Sequence, residues 1–281
     1  MKRNLYLLIS CIIIFSNPII GQLQIPALSP SSRTIQTVGL TSIEIEYSRP
    51  SKRERTIFGK GGLLPNGEIW RTGANAATKI TFSDNIKIFD TTLEKGSYTI
   101  LTKPDTASWE VYFYTYESSN WNSYVNSKPI ARFTANINSL KDTMETFMIY
   151  IDQISLDSAQ LVFAWENSKV MLPLKVEVHN KTMANIEKTL SGPTSFDYFQ
   201  VALYLHEVGK DLDKALIYIQ KATKSKNPLF FQVYREALIL ADLGRKTEAI
   251  GVAKQSLELS KKARNKDFIR LNEKFIEKWE R

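Results

Sequence analysis

Residues 43–49, IEIEYSR, alternate apolar and polar side chains. Successive side chains of an extended strand point to opposite faces, so Ile43, Ile45 and Tyr47 share one face and Glu44 and Glu46 the other. The regular placement of the two glutamates between isoleucines reads as a solvent-facing row rather than a glycosidase pair. The same period of two recurs along the chain in TKITF (78–82), IKIF (86–89), WEVYFYTY (109–116), METFMIYI (144–151), AQLVFAW (159–165) and KVMLPLKVEV (169–178). Turn-forming clusters separate these runs: Ser83-Asp84-Asn85, Lys95-Gly96-Ser97, Lys103-Pro104-Asp105 and Glu166-Asn167-Ser168. No stretch of crossover-helix length intervenes. The pattern predicts an antiparallel, jelly-roll-like β-sandwich over residues 35–180.

Beyond residue 185 the period becomes helical. DKALIYIQKAT (213–223) and TEAIGVAKQSL (247–257) superpose with Ala215 over Ala249 and Ala222 over Ser256, an offset of 34 residues. That is the tetratricopeptide period. The preceding halves, ALYLHEVGK (202–210) and ALILADLGR (237–245), each end in a glycine suited to a helix C-terminus, with one extra residue after Gly209. Thr194 or Ser195 is available as an N-cap after Gly192-Pro193. A final helix, 266–279, carries Phe268, Leu271, Phe275 and Trp279 on one face and reads as a cap. The expectation is an all-α tetratricopeptide-like domain over 194–281. Two repeats plus a cap are few for a free-standing array, so the helices are expected to lean on the sandwich.

The start of the chain, Lys2 and Arg3 followed by an apolar run and then Gly21, has the order of a secretory signal peptide over 1–21, with a linker over 22–34. Pro18 interrupts the apolar run short of the about 20 residues a membrane span needs, so the mature chain is expected to have no transmembrane segment. Cys11 sits in a lipobox-like Leu8-Ile9-Ser10-Cys11, but apolar residues continue past it, which favours plain cleavage and a periplasmic or secreted location. Cys11 is the single cysteine, so a mature chain has neither disulfide nor thiolate metal site. The net charge is +8, and residues 186–281 hold 18 basic against 13 acidic side chains, spread along helical faces. That distribution lacks the clustered basic face of a nucleic-acid binder, and no nucleic-acid partner is expected.

Several stretches together carry a resemblance: TVGLTSIEIEYSRPSKRERTIFG (37–59), IWRTGANAATKITFS (69–83), LEKGSYTILTKP (93–104), WEVYF (109–113) and LVFAWENSKVMLPLKV (161–176). The chain resembles the DUF2911 family, exported bacterial proteins common in the Bacteroidetes, many of which carry a helical tail like DFIRLNEKF (267–275). The resemblance implies export and this domain order. It implies no catalytic residue. The basic SKRER after Pro50 and the inserted KGG at 60–62 depart from the family pattern.

WRTGANAATKITF (70–82) has the look of a ligand loop. Glycine and asparagine serve its turn, yet Trp70 and Arg71 exceed what a turn needs, as does Arg49 at the close of an earlier strand. Trp165, Glu166 and Asn167 stand at a third strand end. Arg49, Trp70, Arg71, Asn75, Trp165, Glu166 and Asn167 therefore form the candidate ligand site, an aromatic-walled cradle for a polar or anionic small ligand or a sugar. The alternative is structural, with Arg49 or Arg71 pairing Glu166. Trp121 and Tyr124 read as core plus a loop anchor.

Catalytic chemistry is poorly supplied. The two histidines, His179 and His206, lie outside any triad or metal spacing, and the glycines at 59, 61 and 62 lack a phosphate-loop context. No catalytic residue, metal or cofactor is assigned. The expected function is a noncatalytic ligand- or protein-binding or scaffolding module of the envelope, with a peptide or protein on the helical repeat face as one partner. The alternative is a hydrolase or carbohydrate-active enzyme acting on an envelope or dietary glycan.

Overall fold

The computed structural model describes residues 25–190 and 192–281; the segment read as a signal peptide, with Cys11, lies outside the described residues. The first half forms two antiparallel sheets. One holds β1 (Ser31–Val38), β2 (Thr41–Ser48), β3 (Ala74–Phe82), β6 (Gly96–Pro104), β7 (Ser108–Thr115) and β8 (Ala131–Asn136), in the order β1-β2-β3-β6-β7-β8. The other holds β4 (Ile86–Ile88), β5 (Thr91–Leu93), β9 (Asn138–Asp152) and β10 (Ser158–Val176), in the order β5-β4-β10-β9. The first pairing, β1 on β2, begins at Ser31, inside the stretch expected to be linker, because β2's outer edge is free to take another strand.

The two sheets share one apolar core. Ile43, Ile45 and Tyr47 of β2 point into it, with Ile80, Phe113, Phe147, Phe163 and Leu172 from other strands of both sheets. The alternation read from the sequence is the burial pattern of β2, and Glu44 and Glu46 pair outward with Arg33 and Lys79. Tyr47 also ties the sheets together. Its hydroxyl accepts the Ile149 N–H at 2.8 Å and donates to the Ile149 carbonyl at 3.3 Å. Burial raises the phenol's pKa, so the hydroxyl keeps its proton. Tyr47→Phe strands that buried N–H and is expected to lower the unfolding free energy by about 1–2 kcal/mol in urea titration.

Six α-helices follow among the described residues: α1 (His179–Thr189), α2 (Ser195–Glu207), α3 (Leu212–Thr223), α4 (Phe230–Asp242), α5 (Lys246–Lys262) and α6 (Lys266–Glu280). Helix α1 fills the interval between the two expected domains. Thr194 caps α2 in a reciprocal box with Asp197, whose carboxyl the Thr194 hydrogen bonds hold below its usual range. The positions that superpose at the 34-residue offset share their burial: Ala215, Ala222, Ala249 and Ser256 are all fully buried. Helices α2 and α4 end alike. Gly209 (φ +63°) and Gly244 (φ +77°) take left-handed backbone, and the next N–H returns to the Leu205 or Leu240 carbonyl. Helix α5 closes the same way on Arg264 (φ +55°), where the Asn265 N–H reaches the Ser260 carbonyl. Arg264→Gly removes the left-handed penalty and is expected to stabilise the chain by about 0.5–1 kcal/mol in thermal unfolding.

The inward face of α6 differs from the expectation. Leu271 is exposed and Asn272 is fully buried, because the neighbouring α5 offers Ser260 there and the Asn272 amide donates to the Phe268 carbonyl at 2.7 Å. Phe268, Phe275 and Trp279 do pack inward, through ring contacts that include Tyr234.

Helices and sheets meet at α1. The His179 imidazole lies 3.0 Å from the Tyr204 hydroxyl, and Tyr204 packs against both cores. Lys181 pairs with Asp84 in the β3–β4 turn, and Ser83 and Thr41 hydroxyls also donate to that carboxylate. The Lys181 hydrogen bond, followed by those hydroxyls, depresses the Asp84 pKa. A depressed carboxyl contributes stability above the unfolded-state pKa of about 3.9 and loses it as pH falls through the folded value. Asp84→Asn is therefore expected to flatten the pH dependence of stability below about pH 4, by at most about 1 kcal/mol.

Candidate functional site

The site forms where one chain segment changes sheets. After β2, Arg49 N–H donates to the Pro30 carbonyl at 2.9 Å. The next residues cross to β9: Phe147 N–H donates to the Pro50 carbonyl at 2.9 Å and Lys52 N–H to the Glu145 carbonyl at 2.7 Å. Ser51 and Thr146 hydroxyls share a hydrogen bond of 3.0 Å. Pro50 suits the crossing, since it has no N–H to offer a strand ladder. A tight turn follows, closed by the Arg55 N–H on the Lys52 carbonyl at 3.2 Å, with Arg53 (φ +50°) and Glu54 (φ +63°) both left-handed.

WRTGANAATKITF supplies the opposite wall. Trp70 pairs through its backbone with Thr102, and its indole N–H donates to the Gly73 carbonyl at 2.9 Å. Thr72 (φ +57°) and Asn75 (φ +60°) carry the loop through left-handed backbone, and the Thr78 hydroxyl clamps it by donating to the Thr72 carbonyl at 2.6 Å. Gly73 spares the loop a crowded contact. A Cβ there would lie 3.0 Å from the Ser48 carbonyl oxygen.

Between these walls is a cavity of about 330 Å³. Trp70, Arg71 and Trp165 of the sequence-derived set line it, together with Ser51, Arg53 and Arg55. Its other side is formed by Leu28 and Ser29 of the N-terminal segment, held by the Arg53 guanidinium on the Leu28 carbonyl and the Asn75 amide on the Ser29 carbonyl.

The remaining expected residues have other partners. Arg49 Nε donates to the Phe147 carbonyl at 3.0 Å, a strut between the sheets. Asn75 anchors the N-terminal segment and Ser48. Glu166, left-handed at φ +52° in a bulge of β10, pairs with Lys52 at 3.6 Å rather than with Arg49 or Arg71. Asn167 bonds Thr143 and the Leu140 carbonyl along the β9–β10 ladder. None of these four lines the cavity.

The expected aromatic wall is also reoriented. Trp70 and Trp165 stack on one another with centroids 5.5 Å apart and planes at 22°, and Phe147 covers both edge-on or tilted. Their faces are spent on the core, so neither offers a free platform for a sugar ring. Trp121 instead lies under the Arg71 guanidinium at 5.6 Å, and Tyr124 is buried, its hydroxyl accepting the Glu117 and Ser118 N–H groups.

Arg53 and Arg55 were outside the expected set. The signal for them was the SKRER run directly after Pro50, read only as a departure from a family pattern. Chemically the cavity offers guanidinium donors, two serines and an apolar floor. It has no histidine and no carboxylate lining it. His206 is engaged elsewhere, between Asp242 and Arg235. Among the described residues, no group of three His, Cys, Asp or Glu side chains could hold a metal ion, and no helix is long and apolar enough to cross a membrane.

Neither the curated proteins nor the solved structures provide a match to this chain. The sequence model of one family, described as a protein of unknown function, matches residues 29–174, which contain both walls of the cavity and end before the helices. The match spans more than half of the 281 residues, and the chain belongs to the DUF2911 family.

Proposed function

We propose that this chain is a noncatalytic binding protein of the cell envelope that holds a small polar ligand at the sheet junction. The observation that carries the reading is the composition of the cavity: arginines and two serines on a floor of packed tryptophans, with no carboxylate, histidine or thiol to act as acid, base or nucleophile. Glu166, the acid a glycan hydrolase would need here, is paired with Lys52 outside the cavity. In this reading the two sheets with their common core are a jelly-roll-like β-sandwich. The helices are a short tetratricopeptide-like array, supported by the 34-residue spacing of the buried alanines. Export rests on the sequence pattern of residues 1–21.

A second, compatible role belongs to the helices. Phe196 is half exposed and leads a run of ring contacts through Phe199 to Phe231, a surface suited to a peptide or protein partner.

The test is a thermal-shift panel of neutral sugars, sugar acids, sugar phosphates, amino acids and short peptides on the purified chain, alongside an assay for reducing ends released from envelope glycans. A stabilising shift with at least one small ligand and no released reducing ends is expected. Release of reducing ends that disappears in Glu166→Gln would overturn the noncatalytic reading, and an unresponsive panel would remove the binding role.

A further inference from the structure

We propose that the ligand of this cavity is a phosphate or sulfate monoester, an oxyanion with three terminal oxygens on a small organic group, gripped by Arg53, Arg55 and Arg71. The proposal rests on the binding role above and narrows it to a chemical class.

Charge is the first argument. Six arginines elsewhere each hold a carboxylate: Arg33 with Glu44, Arg132 with Glu110, Arg235 with Glu207, Arg245 with Glu248, Arg270 with Asp267 and Arg281 with Glu277. The three arginines lining the cavity hold none among the described residues. Arg53 reaches the Leu28 carbonyl, and Arg55 the Lys52 and Ser51 carbonyls at 2.9 and 2.7 Å. These are neutral acceptors; the Glu145 carboxylate is bound to the Arg53 backbone N–H at 2.8 Å rather than to a guanidinium, and with no carboxylate lining the cavity the three guanidiniums leave a local field that favours an anion. Exchanging a neutral acceptor for an oxyanion forms shorter, stronger charge-assisted bonds.

An unmet donor is the second. Arg71 Nε is buried and has no hydrogen-bond partner. A buried guanidinium N–H without an acceptor is costly, and a small shift of Arg71 toward a bound oxyanion would meet that need.

Backbone strain is the third. Of nine non-glycine residues with left-handed backbone among the described residues, five (Arg53, Glu54, Thr72, Asn75 and Glu166) lie in the segments that build or adjoin this cavity. A two-residue left-handed turn is the natural place for Asn-Gly, yet the chain puts arginine and glutamate there. Strain concentrated on one site is kept when the side chains it presents are needed.

The class follows from size and stoichiometry. A carboxylate is satisfied by a single guanidinium fork, whereas a phosphoryl or sulfuryl group has three terminal oxygens for three forks. At about 330 Å³ the cavity is larger than a bare ion and at the small end of ligand sites, which leaves room for a small organic group beside the oxyanion. The mutual stacking of Trp70 and Trp165 denies that group an aromatic platform, so the charge must dominate affinity.

Isothermal titration of the full purified chain in phosphate-free buffer tests this with glucose 6-phosphate, inorganic phosphate, sulfate, glucuronate and glucose. Glucose 6-phosphate is expected to bind at least tenfold more tightly than glucuronate and than either bare ion, and glucose not to bind. Arg53→Asn is the informative variant: it relieves the left-handed strain, so its melting temperature should rise while glucose 6-phosphate affinity falls at least tenfold. Arg55→Gln, on the same exposed turn, and Arg71→Lys, which keeps the charge and loses the fork, should weaken binding similarly. Equal affinity for glucuronate and glucose 6-phosphate, binding of glucose alone, preference for the bare ions, or an Arg53→Asn chain that binds normally would overturn the proposal while leaving a binding role intact. Binding of none of the five, with another member of the thermal-shift panel active, would overturn it too; an inactive panel as well would remove both readings.

Discussion

Trp165→Ala is expected to lower the unfolding free energy by about 3–5 kcal/mol, a loss at the top of the range for truncating a buried side chain. Trp165 is fully buried in the middle of β10. It stacks on Trp70, meets Phe58 edge-on at 6.3 Å and Phe147 at 5.7 Å, and its indole N–H donates to the Glu145 carbonyl at 3.1 Å. Truncation loses the buried area, leaves a void bordered by three other aromatic rings and costs the Glu145 carbonyl one of its two hydrogen bonds. Trp165→Phe keeps an aromatic ring and should recover more than half of the loss. Urea denaturation of the two variants measures both. If Trp165→Ala costs less than about 1 kcal/mol, the tryptophans are not the structural floor of the cavity and the case against an aromatic ligand platform falls with them.

Gly39→Ala is expected to cost about 2–4 kcal/mol. Gly39 opens the two-residue turn between β1 and β2 at φ +57°, where an L side chain is strained. Space is the larger obstacle. A Cβ would lie 2.3 Å from Val178 Cγ2 and 2.6 Å from the Leu156 carbonyl oxygen, so the β1–β2 turn, the β9–β10 turn and the approach to α1 would all have to separate. The damage should therefore spread from the hairpin to the junction with the helices. Hydrogen exchange would register it as lost protection in α1 as well as β1, whereas Gly96→Ala, where nothing lies within 4 Å, should leave α1 protected.

Trp165 and Gly39 test different parts of the fold: Trp165 lines the cavity, and Gly39 packs where the sheets approach the helices. A ligand held by guanidiniums on a strained turn depends on that floor remaining rigid, because an arginine fork displaced by an ångström loses the alignment that makes its hydrogen bonds strong.

Local order was determined by the sequence alone. The alternation of IEIEYSR specifies which side of β2 is wet, since pleating leaves no other arrangement. The glycines at 209 and 244 and the Thr194 cap each act within a few residues of themselves, through backbone sterics and hydrogen bonds that require no distant partner. Trp70, Arg71 and Trp165 were singled out by their sequence context, because bulky or charged side chains at strand ends exceed what a turn demands, and all three line one cavity.

Partnership was decided only by the tertiary structure. That Glu166 meets Lys52 rather than Arg49, that Asn272 rather than Leu271 faces inward, and that Arg53 and Arg55 stand across a cavity from Arg71 all depend on which strands and helices become neighbours. The crossing of residues 50–52 from β2 to β9 joins positions almost a hundred residues apart. No periodicity encodes such a contact: burial of the shared core selects it among many pairings that satisfy the same local pattern, so the walls of the site are a property of the assembled sheets.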